Sequence, residues 1–311
     1  MSGLPLIVAL KSPKSRLKQG GKMALDLHDR AIFDMVAERA AQLESELKAD
    51  VLFYHGGIYP SYFRYFRDYI EGVRAESGCD GSAIAVFLRT GGGSAETAER
   101  MVSVLRKHYQ EVYFVVPEIA MSAGTILCMS GDKIFMDYAS SLGPIDPQVP
   151  DPITQQYVPA LGYLDKVKEI TEKDELAPAD VVFLKGLDLA RLALFEQAKN
   201  LSIDLLKKWL VEYKFKDWTQ HRTNNPGALV TDQEKVERAE EIATALADHK
   251  RWRSHGRHLD LVKLADLRIE IDDYSDQQNL RRLIREYNDP LTGLIDRNEI
   301  PIFMHNHKAG L

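Results

Sequence analysis

Hydrophobic and polar positions alternate along the chain in two distinct periods. Ile32, Val36, Ala40, Leu43 and Leu47 recur at three and four, placing one apolar face on a helix. Val51-Leu52-Phe53-Tyr54-His55 reads as a short buried strand stopped by Gly56-Gly57. Over 61–75, Tyr62, Phe66, Tyr69 and Val73 share one helical stripe, which suits a core face or a subunit interface. Ala83-Ile84-Ala85-Val86-Phe87-Leu88 is a near-continuous apolar run, the signature of a strand covered on both faces. Thr90-Gly91-Gly92-Gly93-Ser94 breaks it, and Ser94 is placed to cap the helix that buries Ala98, Met101, Val102, Leu105 and Tyr109. A strand over 111–116, a helix of small apolar residues over 122–130 and a strand over 133–136 follow.

Strands and helices alternating at this spacing predict an α/β fold, with βαβ crossovers and a largely parallel sheet. Beyond residue 150 the pattern changes. Prolines 144, 147, 150, 152 and 159 mark an extended connection, and helices are expected over 162–174, 178–199, 201–213, 231–248 and 276–287. The expected organisation is a flexible basic arm over 1–22, an α/β core over 23–200 and a helical C-terminal extension over 201–311. No internal repeat is evident.

Composition narrows the function. The 311 residues carry 40 basic and 46 acidic side chains, a net charge of −6, which disfavours a general nucleic-acid or anionic-membrane binder. Two cysteines, Cys79 and Cys128, exclude a disulfide scaffold and a cysteine-rich zinc module and fit a reducing compartment. The opening run Leu4–Leu10 is too short to span a bilayer, and basic residues follow rather than precede it, so a soluble cytoplasmic protein with no membrane contact is expected. His305-Asn306-His307 lacks the further ligands of a metal site. The basic turn 250–257 lacks interleaved aromatics beyond Trp252 and does not read as a nucleic-acid surface.

Two small-residue breaks follow strands, at Thr90–Ser94 and at Ala120-Met121-Ser122-Ala123-Gly124-Thr125. In a parallel sheet, loops at the carboxyl ends of strands are where ligands bind. Adjacent glycines expose backbone N–H groups, which hold a phosphate or the oxyanion of acyl transfer. The triple glycine is neither a Walker A loop nor a dinucleotide fingerprint, and it serves equally as a tight strand–helix turn. Ser122 sits where a buried helix begins and suits either a nucleophile or an N-cap.

The order of the two loops resembles the core of the Clp-protease/crotonase superfamily. The runs Ala120-Met121-Ser122-Ala123-Gly124-Thr125-Ile126-Leu127 and Ser140-Ser141-Leu142-Gly143-Pro144-Ile145-Asp146-Pro147-Gln148 resemble the serine dehydrogenase proteinase family, a distant relative of signal peptide peptidase A. The resemblance spans about residues 30–275 and is strongest over 83–150; Asp217-Trp218-Thr219 and Trp252–Arg257 extend it. It implies a serine endopeptidase acting on peptides or unfolded protein segments. Ser122 would attack, and the amides of Gly92 and Ala123 would form the oxyanion hole. No cofactor is implied. A homo-oligomer is implied, and ATP use would need a separate unfoldase, since no Walker A motif is present.

The base stays open at this level. The stretch Leu142-Gly143-Pro144-Ile145-Asp146-Pro147 holds no histidine, where the Clp subunit carries one. Lys166, at a helix start after the proline-rich connection, matches the lysine base of signal-peptide-peptidase-like relatives, and Lys168 lies nearby. A lysine base needs burial to shed its proton near neutral pH. His255 completes the order Ser122, Asp146, His255 that the resemblance implies, and His221 is a third candidate. Asp146 is either the orienting carboxylate or a turn residue, with Asp137 as substitute. Two rival readings are a thioester hydrolase or isomerase acting on acyl-CoA on the same fold, and an assembly or binding protein that has lost its base.

Overall fold

The computed structural model describes residues 27–76, 82–150, 157–221 and 226–308. In chain order the elements are α1 (Leu27–Leu47), β1 (Asp50–Gly56), α2 (Pro60–Glu76), β2 (Ala83–Arg89), α3 (Ala95–His108), β3 (Glu111–Val115), β4 (Ile119–Ala120), α4 (Ala123–Met129), β5 (Lys133–Met136) and β6 (Ser141–Leu142). Then come β7 (Gln148–Pro150), β8 (Tyr157–Pro159), α5 (Ala160–Thr171), α6 (Pro178–Lys185), α7 (Leu189–Trp209), α8 (Asp232–Ala247) and α9 (His249–Trp252). The last are α10 (Leu261–Asp266), β9 (Asp272–Asp273), α11 (Gln278–Arg297) and β10 (Ile302–His305).

The chain divides into two compact units: the described residues up to Leu142 together with those from Asp260 onward, and the segment Gly143–Leu259. Strands β9 and β10, from the C-terminal part of the first unit, join its sheet. The basic arm over 1–22 lies outside the described residues.

The first unit carries a six-stranded sheet in the order β10-β1-β2-β3-β5-β9. All pairs are parallel except β1 with β10. The central strands β1, β2 and β3 are apolar at most positions because both faces of the sheet are covered. On one face Val51, Phe53, Ala85, Phe87 and Val115 join one buried cluster with Phe33, Val36, Ala40 and Leu43 of α1 and Leu283, Ile284, Tyr287 and Leu291 of α11. On the other, Tyr54 meets Phe66 of α2 edge-on at 5.8 Å. Phe66, Tyr69 and Val73 are thus buried within the chain itself. The α2 stripe is core and gives no reason to expect a partner.

Three elements depart from the pattern. The helix expected over 178–199 breaks at Gly186–Asp188, and Asp188 starts the next helix by accepting from the Ala190 N–H (3.0 Å). Helix α11 runs on through Pro290 to Arg297, because Leu291, Leu294 and Ile295 continue its buried stripe and that burial outweighs a lost backbone bond. Strand β10 was not anticipated. The Asn306 side chain reaches the Val51 carbonyl (2.5 Å), and Lys308 bonds Asp50 (3.1 Å) and Glu44 (2.6 Å), fastening the strand to β1 and α1. No helix among the described residues is long and apolar enough to cross a membrane.

His305 of β10 is buried between Phe33 and Tyr287, with Nδ1 bonded to the Tyr287 hydroxyl (3.0 Å) and Nε2 without a partner. Burial, with His307 adding to it, lowers its pKa to about 3. Burial and the neighbouring Arg89 lower that of His55 on β1 to about 4. The unfolded chain binds these protons from about pH 6.5 downward while the fold does not, so stability is full above that pH and declines as pH falls toward those values. Melting temperature is expected to drop between pH 7 and 5, above the range of ordinary carboxylates. In His305→Asn that slope should be shallower, read by thermal denaturation across the series.

Candidate active site

The two small-residue breaks meet in the first unit, at the carboxyl ends of its parallel strands. Backbone bonds join them: Thr90 N–H donates to the Ile119 carbonyl (3.1 Å) and Met121 N–H to the Thr90 carbonyl (3.0 Å). A side chain at Gly92 would come within 2.7 Å of both the Met121 carbonyl and the Ser122 Cβ, and within 3.3 Å of the Ala123 nitrogen. Only glycine allows this approach. At Gly124 a Cβ would lie 2.4 Å from Thr90 Cγ2, so that glycine too is fixed by contact between the breaks.

Ser122 holds φ 52° and ψ −117°, a left-handed backbone that side chains rarely adopt. Its hydroxyl makes no capping bond, in contrast to Ser94, whose Oγ accepts from Thr97 N–H at 3.0 Å. The turn is instead held by backbone and threonine. Gly124 N–H donates to the Met121 carbonyl (2.8 Å), and the Thr125 hydroxyl donates to the Ala120 carbonyl (2.9 Å). A strained, half-buried serine between a strand and a helix N-terminus is the geometry of a nucleophile elbow.

At the two turns, the Ala123 and Gly93 amides are among those that make no hydrogen bond. Ala123 opens α4, so its N–H has no intrahelical partner, and none is made elsewhere. The Gly93 N–H is likewise unbonded, and Gly93 is exposed. Gly92, expected as the donor, differs: its N–H donates to the Thr90 Oγ1 (3.0 Å), in a buried position. The sequence could not separate three consecutive glycines; the threonine hydroxyl two residues earlier was the signal.

In the second unit, Asp146 and His255 come together. Nδ1 of His255 lies 2.9 Å from Oδ1 of Asp146, a carboxylate with 1% of its side chain exposed. The other oxygen, Oδ2, accepts from the Gln148 amide (2.7 Å). Pro144 and Pro147 restrict the backbone around Asp146, and Ile145 N–H donates to the Leu246 carbonyl (3.1 Å). His255 is delivered by the end of α9: Trp252 is buried with its indole N–H on the Ala245 carbonyl (2.7 Å), and Arg253 turns the chain at φ 61°. Binding Nδ1 to a carboxylate leaves Nε2 as the nitrogen able to take a proton.

The remaining candidates are engaged otherwise. Lys166 on α5 is half exposed and paired with Glu169 (3.0 Å), and Lys168 faces Glu172 across 3.7 Å. His221 contacts Glu234 (3.1 Å) beside the Trp218 ring. Asp137 accepts from Ala139 N–H, the Ser140 hydroxyl and Arg285 (3.0 Å), which fixes it as a turn and ion-pair residue. No cluster of metal-ligating side chains occurs among the described residues.

A profile of the ClpP-like SDH-type serine proteinases matches residues 67–227, over half of the chain. The chain belongs to that family. Two uncharacterised proteins of Methanocaldococcus jannaschii are similar to it. One is 32% identical over 43% of this chain and 43% of its own length; the other is 27% identical over 61% and 52%. The chain thus spans about half the length of these curated relatives. Among solved structures, the 1510-N membrane-bound stomatin-specific protease aligns over 75% of this chain and 81% of its own, at 15% identity and TM-score 0.43. The ClpP protease catalytic domain from Plasmodium falciparum aligns over 81% and 93%, at 9% identity and TM-score 0.38.

Backbone strain at Ser122 yields a direct test. Glycine tolerates φ 52° and alanine does not, so Ser122→Gly is expected to be more stable than Ser122→Ala by roughly 1 kcal/mol. Equal denaturant midpoints for the two variants would mean the left-handed turn is not a strained one.

Proposed function

We propose that the protein is a serine endopeptidase of its family, cleaving peptides or unfolded protein segments. The observation that carries this is Ser122, a hydroxyl on a strained elbow with two unbonded amides at the adjoining turns. Ser122 Oγ attacks the scissile carbonyl. His255 takes the hydroxyl proton on Nε2 and returns it to the leaving amine, while Asp146, steadied by Gln148, holds the imidazole tautomer and balances its charge. The N–H groups of Ala123 and Gly93 receive the tetrahedral oxyanion. Each such donor contributes about 3–4 kcal/mol in comparable enzymes. Gly93 replaces Gly92 in this reading because a Gly92 N–H already donated to Thr90 has no second proton to give.

His255 is favoured over Lys166 on physical grounds. Lys166 is half exposed and tied to Glu169, whereas His255 is bonded through Nδ1 to a buried carboxylate, which leaves Nε2 to accept a proton. The acyl-CoA alternative uses the same amides but leaves the strain at Ser122 without a purpose. No resident cofactor enters the scheme. A homo-oligomeric assembly, and a separate ATP-dependent unfoldase that feeds it, are part of the proposal by analogy with the ClpP-like family.

The purified protein should react covalently with a fluorophosphonate probe and degrade a casein-like substrate. Ser122→Ala should abolish both. His255→Ala should lower kcat/KM by roughly 10²–10⁴, whereas Lys166→Met should stay within a few-fold of the parent. A dead Lys166→Met beside an active His255→Ala would transfer the base to the lysine. A parent that neither labels nor cleaves would overturn the peptidase reading.

A further inference from the structure

Thr90 has one role in the fold and a second in the chemistry. Its backbone pairs with the strand leading to Ser122, donating to Ile119 and accepting from Met121. Its side chain is buried (2% exposed) and β-branched, so a single χ1 well sets both of its arms. One arm, Oγ1, accepts the Gly92 N–H at 3.0 Å. The other, Cγ2, fills the space above Gly124 in the first turn of α4. One side chain therefore fixes the glycine turn and the nucleophile helix against each other.

The consequence for the glycine turn follows from peptide geometry. The Gly92 carbonyl accepts from Ile58 N–H (2.9 Å) and no peptide bond in the described chain is cis. In a trans peptide the N–H of Gly93 must then point away from Ile58. Gly92 and Gly93 hold φ 102° and 151°, in the region where glycine moves freely. Ile58 ties this plane at the Gly92 carbonyl, and the Thr90 hydroxyl ties the preceding Gly91–Gly92 plane at the Gly92 N–H; without the second tie the two planes can rotate against each other at Gly92.

We propose that Thr90 is a positioning residue for the oxyanion hole: its hydroxyl captures the Gly92 N–H and, with Ile58 holding the Gly92 carbonyl, keeps the Gly93 N–H presented to the substrate carbonyl. Thr90 acts through the turn rather than on the reacting atoms. The proposal rests on Ser122 being the nucleophile, yet its first half concerns the turn alone and is separately measurable.

The test compares Thr90→Val, which keeps the shape and removes the hydroxyl, with Thr90→Ser, which keeps the hydroxyl and removes the methyl. Thr90→Val should lose ~10-fold or more in the rate of fluorophosphonate acylation and in kcat, with KM little changed, since an oxyanion donor acts in the transition state. Thr90→Ser should recover most of that rate even if it melts lower. Amide hydrogen exchange at Gly92 gives a readout independent of activity: protected in the parent and in Thr90→Ser, unprotected in Thr90→Val. If Thr90→Val does not fold, Thr90→Ala carries the same comparison. A Thr90→Val protein that acylates at the parental rate overturns the proposal, as does Thr90→Ser failing as badly as Thr90→Val. If the parent itself shows no acylation, the peptidase reading falls. Gly92 exchange then decides Thr90 alone, with protection in every variant counting against it.

Discussion

The close approach of two backbone turns is the constraint on which the geometry around Ser122 depends. Gly92 lies against Ser122, and Gly124 lies against Thr90, with no room for a Cβ at either glycine. Packing at that distance holds Ser122 in a left-handed conformation that an isolated chain would leave, at a cost of order 1–3 kcal/mol. The parallel sheet makes the approach available. Strands β2 and β3 run in register, so the loops at their carboxyl ends emerge side by side. Apolar burial on both faces of the sheet supplies the rigidity against which the strain is held.

Much of this was legible in the sequence, for identifiable reasons. The strands Val51–His55, Ala83–Leu88 and 111–116 are apolar without alternation, which is what two-sided burial demands, and each appears where expected. The two small-residue breaks are legible because glycine and serine interrupt apolar runs, although residue type alone left a plain turn or a helix cap as open as a ligand site. The pairing of Asp146 with His255 is not a local property, since 109 positions separate them; the resemblance named both residues, and the coordinates bring them to 2.9 Å.

The rest escaped for physical reasons. Ile302–His305 is too short to carry a period, and its status as a strand depends on an open edge of β1 far back in the sequence. Pro290 reads as a helix stop, yet tertiary burial of Leu291 and Leu294 overrides it. Which of three glycine amides is already bonded depends on a hydroxyl rotamer, beyond the reach of residue type alone. The aromatic stripe of α2 offered core or interface, and the covering sheet decided for core.

Strand β10 also bears on how the chain reaches its native state. The ribosome releases α1 through β6 well before α11 and β10, and the whole Gly143–Leu259 unit emerges in between. Until α11 arrives, the face of the sheet that carries Phe53 and Phe87 has no helix from that end to cover it. Until β10 arrives, β1 presents a bare edge to other chains. A nascent molecule therefore carries exposed apolar surface through much of its synthesis, a window in which holding chaperones would shield it from aggregation.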